Sequence, residues 1–284
     1  MPRRRDDSHD VLEHYPLADE RARLDTPIGQ IELERTKEIL LAHLPPPPAV
    51  VSDIGGGPGR YALWLAEAGY RVVHRDLVPL HVEQVAADAA ARGLDVSTGV
   101  ADARRLDLAD GTVDAVLLLG PLYHLSRRAD RLQALREARR ILRPGGVAFL
   151  AAISRWAPRL HGEVTLKLYR ELEGFHDEVV SLERTGRMPP LFPGSFAGYC
   201  HRPVQLRSEI VVAGFEVVEL VAVEGLVFAL PDLEERMADP ADRAVVLDMA
   251  RVLGSVPELL GLGPHLLATA RPSDPVMVRG RGRT

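Results

Sequence analysis

V-V-S-D-I-G-G-G-P-G-R, residues 50–60, decides the fold. The stretch opens apolar, turns acidic at Asp53, sets glycines at 55, 57 and 59, and runs into a helical period from Arg60. Glycine tolerates positive φ and lets a ligand approach bare backbone. The first turn of a following helix attracts an anionic group. The reading is therefore strand, ligand-facing turn, helix. The dinucleotide fingerprint Gly-x-Gly-x-x-Gly is not met. Counted from Gly55, its third glycine would fall on Arg60. The spacing is Asp-x-Gly-x-Gly-x-Gly instead.

Working outward, short apolar runs alternate with helical periods. Strands are expected at 49–54, 70–74, 95–99, 113–119, 147–153, 215–223 and 265–270, and helices at 60–68, 79–91, 127–142, 203–213 and 240–253. This alternation implies an α/β fold with a mostly parallel sheet covered on both faces. The last two strands have no crossover partner beyond them, so the sheet closes antiparallel. P-P-P-P at 45–48 cannot continue a helix. It separates the core from an amphipathic helix at 28–44 and a weaker helical stretch at 9–24. Four regions follow: an N-terminal helical cap, 1–44; a core, 45–153; an insertion, 154–202; and the rest of the core, 203–284, with a helical insertion at 225–262. Eight aromatics lie between Trp156 and Phe228, Phe192 among them. An aromatic-rich insertion at a strand end reads as a lid over a small-molecule pocket.

Composition narrows the function. Hydrophobic residues make up 46% and charged residues 26% of the 284, which excludes a disordered chain. No apolar run approaches the roughly 18 residues of a membrane span. The start, M-P-R-R-R-D-D-S-H-D, lacks the apolar segment of a secretory leader. A single cysteine, Cys200, forms no internal disulfide and no cysteine-based zinc site, and fits a reducing cytoplasm. A net charge of −5 argues against a nucleic-acid partner, and the arginines at 3–5 and 279–283 read as solvated ends. The expected partner is a small-molecule acceptor, with neither nucleic acid nor membrane.

Three further signals accompany the glycine turn. Asp76 ends the second strand, 23 residues after Asp53, where an acid can accept both hydroxyls of a ribose. Asp102, in G-V-A-D-A after the third strand, can accept from an exocyclic adenine amine, with the Ala103 backbone against the ring. L-R-P-G-G-V at 142–147 stops a helix and turns into the next strand. In this order the motifs resemble class I S-adenosylmethionine-dependent methyltransferases of the small-molecule, natural-product type. The resemblance runs from about 49 to 153 and resumes at G-F-E-V-V-E (214–219) and L-L-A-T-A-R (266–271). It implies a Rossmann-like sheet of seven strands, the last antiparallel, and S-adenosylmethionine as cofactor. It further implies that Gly55, Gly57 and Gly59 approach the methionine part, Asp76 the ribose, and Asp102 and Ala103 the adenine, with Asp53 and Leu77 also cofactor-binding. Leu119 joins this set, and Arg35 is a candidate for the cofactor carboxylate.

The fourth strand opens into G-P-L-Y-H at 120–124. An amine-binding Asp/Asn-Pro-Pro-Tyr/Phe tetrad is missing there, which disfavours nucleic-acid base methylation. Gly120 offers no carboxylate to a magnesium ion, and no metal is expected. His124, at the strand mouth, is the candidate general base or else a histidine anchoring the loop; Tyr123 either stacks on a planar acceptor or packs. Tyr15, Phe196, Tyr199 and His201 are candidate acceptor contacts. The acceptor is expected to be small and largely apolar or aromatic, methylated at carbon, nitrogen or oxygen. Two alternatives stand: a non-catalytic S-adenosylmethionine-binding protein of the same fold, and a nicotinamide-dependent oxidoreductase.

Overall fold

The computed structural model describes residues 7–15, 20–190 and 196–273. Within them, β1 (Val50–Ile54), β2 (Arg71–Asp76), β3 (Val96–Val100), β4 (Val113–Leu118), β5 (Leu142–Ile153), β8 (Phe215–Ala222) and β9 (His265–Pro272) make one sheet in the order β3-β2-β1-β4-β5-β9-β8. β1 to β5 run parallel, and β9 is antiparallel to both β5 and β8. Seven strands with an antiparallel last one is the arrangement expected from the sequence. The sheet reverses direction of winding between β1 and β4, so the loops after these two strands part over a crevice, the usual ligand site of such sheets.

Period-two alternation sorts the central strands. Val51, Leu117 and Phe149 pack on one face with Leu40 and Leu65, from α2 (Pro27–His43) and α3 (Arg60–Glu67). Val116, Leu118 and Leu150 pack on the other with Leu135 and Ile210, from α6 (Arg128–Ile141) and α8 (Pro203–Val212). Each fully buried side chain of this size contributes roughly 1.5–3 kcal/mol. Helix starts are written locally. Thr26 caps α2 by accepting from the Gly29 amide with Pro27 behind it, and Asp239 caps α9 (Pro240–Gly254) by accepting from the Ala241 and Asp242 amides. Pro79 opens α4 (Pro79–Arg92), and Gly93, at φ 65°, ends it.

Two expectations need correction. The helix expected at 9–24 is shorter: α1 covers Asp7–His14, and the next helical turn among the described residues is at Arg23–Asp25. The aromatics of the insertion do not gather as a pocket lining. Phe175, from α7 (Phe175–Thr185), is buried beside Gly162, Tyr169 is exposed, Trp156 lies against Gly261, and Phe215 and Phe228 belong to the interior. Of the described members of that group, Phe196 reaches the crevice loops. Phe192 lies outside the described residues.

The insertion is fastened to the core by buried charge. From the end of β5, Arg155 donates to the carbonyls of Cys200 and Glu183, to Gln205 Oε1 and to the Tyr199 hydroxyl. Arg131 of α6 makes a two-pronged bond to Glu209 of α8 at 2.8 Å on both arms, and its guanidinium lies 3.7 Å over the Tyr199 ring. His201 stands 3.3 Å from the same carboxylate. Burial would push Glu209 up, but Arg131 and His201 hold its carboxyl down at about 2. Tyr199 belongs to β7 (Gly198–Tyr199), which pairs with β6 (Arg187–Met188). Removing one partner from such a set strands the others. Glu209→Ala should therefore lose about 3–5 kcal/mol in urea unfolding. A loss under about 1 kcal/mol would mean that Arg131 finds another buried partner.

Candidate active site

The crevice between the β1 and β4 loops is a cavity of about 1070 Å³ counted out to its mouth. Its first wall is the glycine turn. Gly55 and Gly57 have φ of 65° and 56°. A Cβ on Gly55 would strike Pro121 at 2.6 Å, whereas one on Gly57 would meet nothing nearer than Glu20 Cγ at 3.7 Å. Gly57 thus presents bare backbone to open space. Asp76 fixes this turn from below: one of its oxygens accepts the Gly57 amide and the other the Val78 amide, both at 2.8 Å. Burial pushes Asp76 up, but His81 and these amides hold it below the usual carboxylate range. His81 Nδ1 is 3.4 Å from the Asp76 carboxylate, long for a hydrogen bond.

Asp53 is the unusual group. It is 1% exposed, and neither carboxylate oxygen has a partner beyond a loose approach of the Ala62 amide. Burial first, and the Asp76 charge second, push it to about 7. Leu77, Ala103, Leu119 and Asp102 also line the cavity. Asp102 is gripped by the Arg104 side chain at 2.6–3.1 Å; burial would raise its carboxyl, and these bonds lower it.

A second wall comes from residues 20–32. Arg23 donates to Glu20 at 2.6 Å and with both arms to Glu32 at 2.7 and 3.1 Å. Behind Glu32, His265 bonds Glu224 at 2.5 Å and stands 3.8 Å from Glu32. Burial lowers His265, but the two carboxylates more than reverse this and raise it to about 9. Glu32, Glu224 and His265 are the metal-type ligands that come together among the described residues, and a protonated imidazole with one guanidinium balances their charge.

The third wall is aromatic. Tyr15, just past α1, hydrogen-bonds His124 Nε2 at 2.8 Å. His124 ends the short helix α5 (Pro121–His124), and its ring lies 4.3 Å from Phe196 and 4.7 Å from Tyr123. Burial, reinforced by neighbouring His14, drops His124 to about 3, so the ring is neutral.

Eleven residues singled out in the sequence line this one cavity: Tyr15, Asp53, Gly55, Gly57, Asp76, Leu77, Asp102, Ala103, Leu119, Tyr123 and His124. Phe196 backs it through His124. Four lie elsewhere. Gly59, at φ 86°, starts α3, and a Cβ there would hit Val85 at 2.6 Å, so this glycine lets α3 pack on α4. Arg35 is buried and paired with Glu38, off the lining. Tyr199 and His201 sit in the Arg131–Glu209 cluster, drawn there by buried charge. Sequence reading missed Glu20, Arg23, Glu32, Tyr61 and His81. For His81 a signal existed, its place in the first turn of the helix that follows Asp76. For Arg23 and Glu32, which a cap and a helix start separate, there was none.

Residues 52–150 match the methyltransferase domain family. That segment, about a third of the chain, is similar to the methyltransferase domain of this family. The chain resembles a ubiquinone/menaquinone biosynthesis C-methyltransferase of Acidiphilium cryptum, at 37% identity over 122 residues, 42% of this chain and 48% of that one. Methyltransferase GfsG of Streptomyces halstedii is 32% identical over 146 residues, 48% of this chain and 51% of that one. The chain thus spans about half the length of the curated relatives it matches. In fold it is similar to the Burkholderia thailandensis 1,6-didemethyltoxoflavin-N1-methyltransferase, solved with 1,6-didemethyltoxoflavin and S-adenosylhomocysteine. The TM-score is 0.56 at 18% identity, covering 94% of this chain and 87% of that one.

Gly57→Val joins strain at positive φ to a branched side chain aimed into the cavity. Titration calorimetry should find S-adenosylhomocysteine binding lost while circular dichroism stays native. Normal binding by this variant would show that the cofactor lies away from the turn.

Proposed function

We propose that the protein transfers a methyl group from S-adenosylmethionine to a small, largely apolar or aromatic acceptor in the cytoplasm, without a metal. The charge of the cavity carries this reading. Its lining offers five carboxylates, Glu20, Glu32, Asp53, Asp76 and Asp102, against two guanidiniums, Arg23 and Arg60. S-adenosylmethionine is a net cation, with a sulfonium and an ammonium against one carboxylate. A nicotinamide dinucleotide would bring a pyrophosphate into the same turn, against Asp53 and Glu20. The bias therefore speaks against the oxidoreductase alternative. The aromatic wall, with its polar Tyr15–His124 pair, speaks for a second ligand and against mere cofactor binding.

The donor set fits the cofactor part by part. Asp53, buried and without a firm partner, is matched to the α-ammonium, and Arg23 takes the role first given to Arg35 at the α-carboxylate. Asp76, with His81 beside it, suits the ribose hydroxyls. Asp102, Ala103 and Leu77 suit the adenine. Bound there, the cofactor supplies a methyl group on positive sulfur, activated for in-line displacement. The chain's own task is to hold the acceptor in line, which is worth up to roughly 7–11 kcal/mol of barrier, and to exclude water. His124 is the candidate base. A neutral imidazole of low basicity does not ionise an acceptor in advance. It can take a proton as the new bond forms, because a hydroxyl oxygen acquiring a methyl group becomes strongly acidic; such help is worth about 10²–10⁴-fold.

Calorimetric titration separates the readings: S-adenosylhomocysteine should bind and NAD should not, and the reverse would overturn the proposal. Asp53 gives a pH signature. Its carboxyl is neutral below about 7 and charged above, and an ammonium prefers the charged form. Affinity for S-adenosylhomocysteine should climb from pH 6 to pH 8 by up to about tenfold, the limit set by ionising one group with a pKa near 7. Asp53→Asn should be flat with pH and should meet the parent protein at the acid end.

A further inference from the structure

The hydrogen bond between Tyr15 and His124 has a chemical meaning beyond holding the N-terminal helix. His124 carries two ring nitrogens, and both are accounted for. Nδ1 is buried without a partner, and Nε2 lies 2.8 Å from the Tyr15 hydroxyl, which donates to it when the ring proton sits on Nδ1. Among the described residues the group paired with the candidate base is thus a phenol, in a pocket of rings. Tyr15 lies edge-on to His81 at 5.3 Å and to His14 at 4.9 Å, and Tyr123 and Phe196 flank His124. Charge is matched elsewhere: Arg23 is taken up by Glu20 and Glu32, and Arg60 by Asp25. Among the described lining residues no cation is left over for an anionic acceptor.

Resting on the methyltransferase reading, we infer that the acceptor is a neutral hydroxylated aromatic compound whose hydroxyl displaces that of Tyr15 from His124 Nε2. One ring nitrogen takes one partner, so the two phenols compete. A planar ring is the shape that the edge-on and tilted contacts around Tyr15 accommodate. A hydroxyl is what the desolvated nitrogen requires, since a buried acceptor left unpaired costs about 1–3 kcal/mol. An apolar ring without a hydroxyl cannot displace Tyr15 without paying that penalty.

The chemical step balances with these groups. The acceptor oxygen bonds the methyl carbon, and the carbon–sulfur bond breaks with its electron pair retained by sulfur. The acceptor proton passes to His124 Nε2, and the resulting imidazolium, disfavoured by burial, gives it up to water when the pocket opens. Tyr15 then returns to the vacated nitrogen.

The test uses the full chain saturated with S-adenosylhomocysteine and three probes of one shape: 2-naphthol, naphthalene and 2-naphthoate. Calorimetry should show 2-naphthol binding at least fivefold tighter than either of the others. Tyr15→Phe removes the competitor and keeps the ring. It should tighten 2-naphthol by threefold or more while naphthalene and S-adenosylhomocysteine stay within twofold. His124→Phe should erase the preference for 2-naphthol over naphthalene; should that variant not fold, Tyr15→Phe carries the decision alone. Binding of S-adenosylhomocysteine with no preference for 2-naphthol, or with none of the three probes bound, overturns the inference and leaves the methyltransferase reading standing. Weaker 2-naphthol binding by Tyr15→Phe also overturns it, because the two hydroxyls would then cooperate. Failure of S-adenosylhomocysteine itself to bind removes the reading beneath it.

Discussion

Everything at the cavity depends on how Asp76 holds Gly57. Three glycines of the turn after β1, Gly55, Gly57 and Gly59, are in left-handed backbone, a conformation with little of its own to stabilise it. The Asp76 carboxylate, at the end of the neighbouring strand, accepts the Gly57 amide, and His74 Nε2 sits 3.0 Å from the Gly57 carbonyl. Both polar groups of one glycine are thus tied to β2. The parallel pairing of β1 with β2 sets the spacing that makes this possible. A ligand entering the turn meets a surface already shaped, so little ordering has to occur on binding.

That tie also gives two acids in one small volume different chemistry. Asp76 is bonded on both oxygens and stays charged. Asp53, close by, is buried without such bonds and feels the charge of Asp76, so it is pushed toward neutrality. The difference comes from His81 and two backbone amides beside Asp76, against no well-formed partner at Asp53. His124 shows the same principle with the opposite sign: a buried imidazole with no carboxylate bonded to it is driven neutral, whereas His265, bonded to Glu224, is driven to hold its proton.

How much of this could be read from the chain depended on the range of the interaction. The strands and helices of the core were legible, because period and capping are local: Pro79, Asp239 and the glycine turn each write an element boundary within a few residues. Asp53, Asp76 and Asp102 were legible because each sits at the end of a parallel strand, and such ends converge at the switch between β1 and β4. Arg35 misled because an arginine on an amphipathic helix does not declare its side. It turns to Glu38, while Arg23, before the helix, turns to the cavity. Tyr199 and His201 misled for a related reason. Their neighbourhood is set by Arg131 and Glu209, 78 positions apart, and no spacing rule joins those two.

The position of β9 also bears on the order in which the protein is built. It runs between β5 and β8 and pairs with both, though both precede it in the chain. During synthesis the parallel half of the sheet can assemble while β8 has no neighbour and β5 has an open edge. Exposed strand edges of this kind are templates for pairing with other chains. The nascent protein therefore passes through an interval in which its binding turn is already shaped, but its sheet is still open to the wrong partner.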